Sequence, residues 1–274
     1  MPKQPTKATH EPNIEQLASS DFELKTRKAK ILCLDIENTP TIAAVWQKWQ
    51  ADTVWVHQPS YMLSWSAKWL GGKQITRGLC DYDDYDPARP DDKRLVTELY
   101  DLLDGADVCV AHNGNKFDFP MIRGRFLQHG LSPSQPFAQV DTLRISKRSF
   151  RLFSHKLDDL GEFLGVGRKV STGGYSLWHQ CMQGDKQAWK LMKKYNAQDT
   201  RLLERVYLKL RAWDDQHPNM NLLLGTTDNC PKCGGTELIR KGSRRSRVGV
   251  AVRWQCTSCG GFSQTAYKKQ VDLR

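Results

Sequence analysis

The chain has 274 residues, of which 39% are hydrophobic and 26% are charged, as in an ordinary globular protein. No stretch approaches the ~18 consecutive apolar residues of a membrane helix, and residues 1–16 lack the apolar run of a secretory signal, so we expect a cytoplasmic protein with no membrane partner. The formal net charge is +11, and residues 226–274 hold ten Lys or Arg against three Asp or Glu. This basic segment indicates a polyanionic partner, although a solvated surface also explains a charge imbalance.

The N-terminal part of the chain predicts an extension followed by a buried strand. Residues 1–28 are polar and show no periodicity, so we expect a loosely docked extension. The apolar run at residues 31–34 then predicts a buried strand, and Asp35 and Glu37 follow it directly. This strand therefore carries two acids at its end.

The chain then alternates between strand and helix patterns. Apolar runs or alternation bounded by turn residues predict strands at residues 64–70, 74–80, 108–111 and 138–143. Apolar residues at helical spacing predict helices at residues 94–103, 119–127, 156–164 and 186–213. The acidic segment at residues 81–92 predicts a loop, and a break is expected in the last helix near Asn196. Together these elements predict an α/β fold, a mixed sheet flanked by helices.

Four acids and a tyrosine occur at spacings that suit a metal site. Asp35 and Glu37 are two residues apart on a strand, so their side chains face the same side. Asp118 stands at the start of a predicted helix, and Tyr195 and Asp199 are four residues apart on one helix face. Each pattern alone also occurs without function, for example as an acid beside a helix dipole. Brought together, the four carboxylates would repel one another, which favours bound cations.

The order of these motifs resembles the DEDD superfamily of 3′–5′ exonucleases. The motifs are Asp-x-Glu from residue 35, Asn-x-x-x-Phe-Asp from residue 113 and Tyr-x-x-x-Asp from residue 195. The stretch AHNGNKFDFP at residues 111–120 is similar to the second motif of family-B DNA polymerase proofreading domains. The stretch SHKLDDL at residues 154–160 looks like the segment between their second and third motifs. The resemblance covers roughly residues 30–210.

The position of the tyrosine distinguishes two subclasses of that superfamily. The histidine subclass places a histidine five residues before the last acid, and this chain has Lys194 there, with no histidine between His179 and Asp199. The chain therefore resembles the tyrosine subclass, of which RNase D is another member. This resemblance implies a ribonuclease-H-like fold.

The resemblance also implies a role for each motif residue. Asp35 is expected to bridge two Mg²⁺ or Mn²⁺ ions, Glu37 and Asp199 to share the first ion, and Asp118 to act mostly on the second. Two such ions activate water and stabilise the leaving oxygen of a phosphodiester. Tyr195 has an ordinary pKa of about 10 and is a poor base, so we expect it to orient the attacking water.

Three further residues are expected to contact nucleic acid. Asn113 and Phe117 match family positions that seat the 3′-terminal nucleotides, although Phe117 could equally be a core aromatic at a helix start. Lys156 is a candidate phosphate contact or a plain surface lysine. Asp141, which follows a predicted strand, is expected to be structural.

Two Cys-x-x-Cys pairs near the C-terminus predict a zinc site. The four cysteines are Cys230, Cys233, Cys256 and Cys259, and glycines follow each pair. Tetrahedral Zn²⁺ takes four thiolates, and Cys-x-x-Cys turns present two each. The arrangement resembles a zinc ribbon with one structural Zn²⁺; two disulfides or a redox role remain as alternatives.

The segment between the cysteine pairs is rich in arginine. No acid occurs between residues 238 and 271, and the candidates for phosphate contacts are Arg244, Arg245, Arg247 and Arg253. A protein-binding loop or a solvated loop is the alternative.

The complete prediction is a free-standing enzyme with an appended module. The domains are an extension (1–28), a ribonuclease-H-like exonuclease domain (29–217), a linker (218–227) and a zinc-ribbon nucleic-acid-binding module (228–274). The predicted activity is 3′–5′ hydrolysis of nucleic acid to nucleoside monophosphates, with single-stranded DNA 3′ ends favoured. A separate polymerase or another replication or repair protein is a candidate partner. The alternatives are a structure-selective endonuclease on the same fold and a non-catalytic nucleic-acid-binding adaptor.

Overall fold

The computed structural model describes residues 29–49 and 52–268, so the predicted extension at residues 1–28 lies outside the described residues. The strands are β1 (Ile31–Asn38), β2 (Ile42–Ala44), β3 (Trp55–Gln58), β4 (Met62–Trp69), β5 (Gln74–Gly78), β6 (Val108–Ala111), β7 (Ala138–Asp141), β8 (Leu238–Ser246), β9 (Gly249–Cys256) and β10 (Phe262–Gln264). The α-helices are α1 (Lys93–Asp104), α2 (Asp118–Gln128), α3 (Thr142–Ser149), α4 (Leu157–Phe163), α5 (Tyr175–Met182), α6 (Lys186–Leu210) and α7 (Met220–Leu224). In this part of the chain, no helix is both long and apolar enough to cross a membrane.

The central sheet has the strand order β5-β4-β1-β6-β7. β1 pairs antiparallel with β4 and parallel with β6, so the sheet is mixed, as predicted. Successive side chains of β1 point to opposite faces of the sheet: Leu32 and Leu34 enter one hydrophobic cluster, and Ile31 and Cys33 enter another. Both faces of β1 are thus buried, which explains why its sequence is a continuous apolar run.

Helices cover both faces of the sheet. The first cluster takes its helical side chains mainly from α1, α2, α5 and the first half of α6. The second takes them from α3, α4 and the second half of α6. The long helix α6 therefore contributes to both clusters, and polar Asn196 and Asp199 lie between its two apolar halves.

The predicted break near Asn196 is wrong. Helix α6 is continuous from Lys186 to Leu210, and a 3₁₀ turn at Arg211–Trp213 follows it. Asn196 is fully buried, and its side chain bonds to β1 and β4 and does not compete with the helix backbone. An asparagine inside a helix often signals an end, because its side chain can bond to the local backbone, but here its partners are distant in sequence.

Other elements differ from the prediction in extent. The strand expected at residues 138–143 ends at Asp141, whose carboxylate caps α3 by accepting from the backbone N–H of Leu143 and Arg144. Helix α3 itself, helix α5 and the hairpin of β2 and β3 were not predicted. The predicted linker at residues 218–227 contains the short helix α7, in which Met220 is buried.

The cysteine-bearing segment forms a separate three-stranded antiparallel sheet in the order β10-β9-β8. It is anchored to the end of the main domain by polar contacts. Lys232 Nζ donates to the carbonyl of Ala212 over 2.7 Å, and the N–H of Met220 donates to the carbonyl of Pro231 over 2.8 Å. These contacts connect the first Cys-x-x-Cys turn with the residues that follow α6.

A buried ion-pair network holds β4 against α1 and α2. Asp92 is fully buried, and its Oδ2 accepts from the backbone N–H of Met62 over 2.8 Å. Its Oδ1 contacts the Arg125 guanidinium and, over 2.6 Å, His129 Nε2. Asp91 lies close enough to complete a potential metal-ligand group with Asp92 and His129, but the guanidinium already provides a positive charge there. We therefore assign this cluster a structural role.

Replacing Arg125 with methionine is expected to reduce the free energy of unfolding by about 3 kcal/mol, because it leaves the buried Asp92 carboxylate without its main counter-charge. Urea unfolding measures this change. The matched control is Arg77→Met, because the Arg77–Glu98 pair has side chains 45% and 37% exposed and should contribute less than about 1 kcal/mol. Equal small decreases in both variants would contradict the structural role.

Candidate active site

Strand β1 and helix α6 meet through the Asn196 side chain. Asn196 Nδ2 donates to the backbone carbonyl of Asp35 over 3.2 Å and to its carboxylate over 2.5 Å. Asn196 Oδ1 accepts from Ser64 Oγ of β4 over 3.3 Å. This amide connects α6 to two adjacent strands and fixes the acids of β1 relative to those of α6.

Three of the four predicted acids come together at this junction. Carboxylate oxygens of Asp35, Glu37 and Asp199 all lie within 4.8 Å of one another. Asp118 is buried at the first turn of α2, and its Oδ1 accepts from the backbone N–H of Ile36 over 3.3 Å. Asp118 is therefore tied to the same strand, but it is not part of the group of three.

Lys169, which no sequence motif marked, also lies at this junction. It belongs to the segment between α4 and α5, and its Nζ donates to Asp199 Oδ2. The same Nζ lies 3.3 Å from the hydroxyl oxygen of Tyr195 and 5.2 Å from the centre of its ring. A single lysine thus supplies one positive charge to a cluster of four acids.

The acids perturb one another's ionisation. Burial, followed by repulsion from Glu37, Asp199 and Asp118, raises the pKa of Asp35 well above its ordinary value. Burial and repulsion from Asp199 raise the pKa of Glu37 to about 8, against the attraction of Lys169. Burial raises the pKa of Asp118 to about 6, and burial also raises the pKa of Asp199. The four groups therefore resist being charged together at neutral pH unless more positive charge enters the site.

The hydrogen bonds of Asp199 give a second, independent indication of a cation site. The residue is fully buried, and its Oδ1 has no hydrogen-bond partner among the described residues. A buried carboxylate oxygen without a partner is costly, and a divalent cation is a suitable partner for it. Mg²⁺ and Mn²⁺ take oxygen ligands of this kind. The donor set therefore fits the divalent ions implied by the sequence.

Tyr195 is placed beside the acids on the same helix face as Asp199. Burial and the negative charges of Glu37 and Asp199 raise the pKa of its hydroxyl above the ordinary value. Its ring packs edge-on against that of Trp178 in α5, with centroids 5.9 Å apart. The hydroxyl therefore stays protonated and can donate a hydrogen bond, which suits an orienting role.

The three residues predicted to contact nucleotides line one cleft beside the acids. Asn113, Phe117 and Lys156 surround a cavity of about 630 Å³, and Lys169 lies in its wall. Phe117 is 58% exposed, so the alternative of a core aromatic is wrong. Their contact with nucleic acid stays a prediction.

The turn that carries Asn113 has an unusual backbone. Asn113 has a φ of 66°, in the left-handed region that asparagine tolerates better than most residues. Its N–H donates to Asp141 Oδ1 over 2.9 Å, so Asp141 holds this turn as well as capping α3. A Cβ atom on Gly114 would lie 2.3 Å from that of Ala111, so the tight turn requires glycine. Asp141 acts here through backbone contacts, as expected for a structural residue.

The four cysteines of the C-terminal module form a second candidate metal site. Their Sγ atoms all lie within 4.8 Å of one another, with 3.7 Å between Cys230 and Cys259 and 3.6 Å between Cys233 and Cys256. A tetrahedron of thiolates about 2.3 Å from a Zn²⁺ ion has edges of about 3.8 Å. A disulfide would need about 2.05 Å, so the arrangement fits a metal and not two disulfides.

One cysteine of this module is predisposed to be a thiolate. Burial raises the pKa of Cys256, but hydrogen bonds from the backbone N–H groups of Cys259 and Ser258 outweigh that effect and lower it to about 7. Thiolates are the form in which cysteine binds metal.

The predicted arginines of the module are all on its surface. β8 and β9 form the hairpin, and the exposed side chains are those of Arg244, Arg245, Arg247 and Arg253. Within the part of the chain that the structure describes, no salt bridge involves any of them. Their positive charges are therefore available to a polyanion.

Two residues of this site, Asn196 and Lys169, were not predicted from the sequence. Asn196 lies inside a motif that was recognised, and a polar residue between two apolar halves of a helix could have indicated a buried contact. Lys169 had no local signal, because it reaches Asp199 only through the tertiary packing of a glycine-rich segment against α6.

The chain is similar to known proteins in sequence and in fold. Protein NEN3 from Arabidopsis thaliana is 33% identical over 75 residues, which are 27% of this chain and 15% of NEN3. The structure of a family B DNA polymerase from the hyperthermophilic archaeon Pyrobaculum calidifontis superposes with a TM-score of 0.50 and 16% identity, over 81% of this chain and 32% of the polymerase. The chain thus spans well under two thirds of either protein, and the polymerase shows a shared fold.

A sequence model of the RNase_H superfamily matches residues 66–211. That range includes Asp118, Tyr195 and Asp199, while Asp35 and Glu37 precede it on β1. Proteins of this superfamily include nucleic-acid hydrolases that use divalent metals, which accords with the acidic cluster. Because the match covers more than half of the chain, the chain belongs to the RNase_H superfamily.

Proposed function

We propose that the chain is a two-metal-dependent 3′–5′ exonuclease that releases nucleoside monophosphates from nucleic acid. The observation that carries the proposal is the approach of Asp35, Glu37 and Asp199 to within 4.8 Å, with one buried oxygen of Asp199 left without a partner. Divalent cations bound there would supply Lewis acidity and a nucleophile at neutral pH. Asp35, Glu37 and Asp199 would hold them, with Asp118 at the edge of the site.

The remaining residues of the site position the substrate and the attacking water. Tyr195 holds a protonated hydroxyl beside the acids and can donate to the water that attacks phosphorus. Phe117 offers an exposed ring on which a terminal base can stack, and Asn113 offers an amide in the same cleft. Lys156 is exposed on that cleft and suits a phosphate. Lys169 contacts Oδ2 of Asp199, which leaves Oδ1 of the same carboxylate to a cation.

The substrate preference rests on the motifs. DNA is favoured because residues 111–120 resemble the second motif of polymerase proofreading domains. The exposed Phe117 favours a single-stranded 3′ end, since only an unpaired base can stack on a side chain in a cleft.

The C-terminal module is proposed to be a zinc ribbon that binds nucleic acid. Cys230, Cys233, Cys256 and Cys259 would hold one Zn²⁺ with no open position, so this ion would be structural. Arg244, Arg245, Arg247 and Arg253 would contact phosphates from the hairpin.

Two substitutions separate the proposed roles of Asp35 and Tyr195. Asp35→Ala removes a ligand and should reduce hydrolysis by at least about 10³-fold, whereas Tyr195→Phe removes one hydrogen bond and should reduce it about tenfold. The assay follows 5′-labelled single-stranded DNA and RNA with Mg²⁺, Mn²⁺ or a chelator. A ladder that shortens from the 3′ end is expected.

Asp101→Ala, at an exposed carboxylate of α1, is the matched control and should keep full activity. Full activity of Asp35→Ala would refute the metal-site assignment. Internal fragments in place of a ladder would identify an endonuclease, and no metal-dependent turnover at all would favour a binding adaptor.

The zinc ribbon has its own test. Elemental analysis of the purified chain is expected to give one zinc per chain, and Cys233→Ser should lose it because three thiolates bind zinc more weakly. The matched control is Cys80→Ser, since Cys80 lies outside the group of four. Equal zinc content in both variants would contradict the assignment.

A further inference from the structure

We propose that the surface of α3 and the segment after it binds single-stranded nucleic acid outside the active site, along a track that leads from the cleft towards the cysteine module. The track consists of Arg144, Lys147, Arg151 and Phe153. It rests on the proposed function, because it extends the path of the same substrate.

The track carries positive charge that the protein does not neutralise. Residues 143–156 contain five Lys or Arg and no Asp or Glu. Arg144, Lys147 and Arg151 are exposed, and no salt bridge joins them to another described residue. Exposed lysine and arginine side chains are the groups that contact a phosphate backbone.

Carboxylates around the track are already engaged. Among the described residues, Asp158 is the only acid that lines the cleft at the start of the track, and it pairs with Arg168 over 3.2 Å. Further along, Asp214 pairs with Arg148, and Asp141 accepts from backbone N–H groups. These acids therefore leave the positive charge of the track available to an anion.

Exposed aromatic rings lie near the basic side chains. Phe153 is fully exposed and Phe117 is 58% exposed, and both line the cleft with Lys147. A basic groove with accessible aromatic rings is the combination that binds single strands, because unpaired bases stack on the rings while phosphates meet the cations. A duplex keeps its base faces covered and cannot use the rings. The geometry therefore favours a single strand.

The position of α3 connects the two candidate binding regions. At one end, the cleft wall includes Lys169, which contacts Asp199 of the active site. At the other end, Arg148 of α3 pairs with Asp214. Ala212, two residues before Asp214, accepts a hydrogen bond from Lys232 of the cysteine module through its backbone carbonyl. Helix α3 thus lies between the acids and the module, where a strand that reaches both would pass.

The test removes two charges of the track and measures binding without catalysis. Lys147→Ala/Arg151→Ala is titrated against a fluorescent single strand of about 20 nucleotides, without added Mg²⁺ or Mn²⁺, by anisotropy, at several salt concentrations. Affinity should fall about tenfold. The slope of log K against log salt should become less steep by about 1.4, because the variant neutralises two fewer phosphates of the single strand.

The matched control is Lys186→Ala/Lys190→Ala, which removes two exposed lysines from the start of α6. This control should keep an affinity and a salt slope near the wild-type values. A second variant, Phe153→Ala, should lower affinity roughly tenfold without changing the salt slope, because it removes stacking and no charge.

Three results would contradict the proposed track. The first is wild-type affinity and salt slope in Lys147→Ala/Arg151→Ala, and the second is an equal loss of affinity in the lysine control. The third is that Lys147→Ala/Arg151→Ala loses equal affinity for a single strand and for a duplex. Binding is measured without added Mg²⁺ or Mn²⁺, so the outcome is separate from the proposed catalysis. A wild-type chain that binds but never hydrolyses would refute the exonuclease and leave the track intact. A chain that hydrolyses while the double variant binds normally would refute the track alone.

Discussion

Repulsion among carboxylates held close together is the main physical constraint on the candidate active site. Oxygens of Asp35, Glu37 and Asp199 lie within 4.8 Å of one another, with Asp118 nearby. Two unit charges at that separation repel by roughly 3–4 kcal/mol at an effective dielectric constant near 20. Lys169 contributes one positive charge against four acids. The arrangement is therefore most stable with additional cations, and this physical requirement supports the proposed metal-dependent hydrolysis.

The fold holds these acids in place with contacts that come from distant parts of the chain. Asn196 connects α6 to Asp35 and Ser64 by hydrogen bonds. Asp118 accepts a hydrogen bond from the backbone N–H of Ile36, on the strand that carries Asp35. Helix α6 is anchored by apolar side chains in both hydrophobic clusters, so its polar centre cannot move away from β1. The same helix ends where the cysteine module is attached. The proposed catalytic and binding elements are thus connected through α6.

The sequence predicted what depends on local pattern and missed what depends on tertiary packing. The buried strand before Asp35 and the mixed sheet follow from apolar runs, and both are confirmed. The break expected at Asn196 is wrong, because the partners of its amide are 132 and 161 residues away. Lys169 was missed for the same reason. The motifs predicted that all four acids meet, and the structure brings Asp35, Glu37 and Asp199 together. Asp118 contacts the same strand through Ile36 but lies outside the group of three.

Anomalous diffraction from crystals soaked in Mn²⁺ would show whether the acidic cluster is a metal site, because it locates the ions without relying on activity. We expect two manganese peaks about 3.5–4 Å apart, bonded to Asp35, Glu37 and Asp199. A site without manganese at millimolar concentration would contradict the proposed two-metal centre.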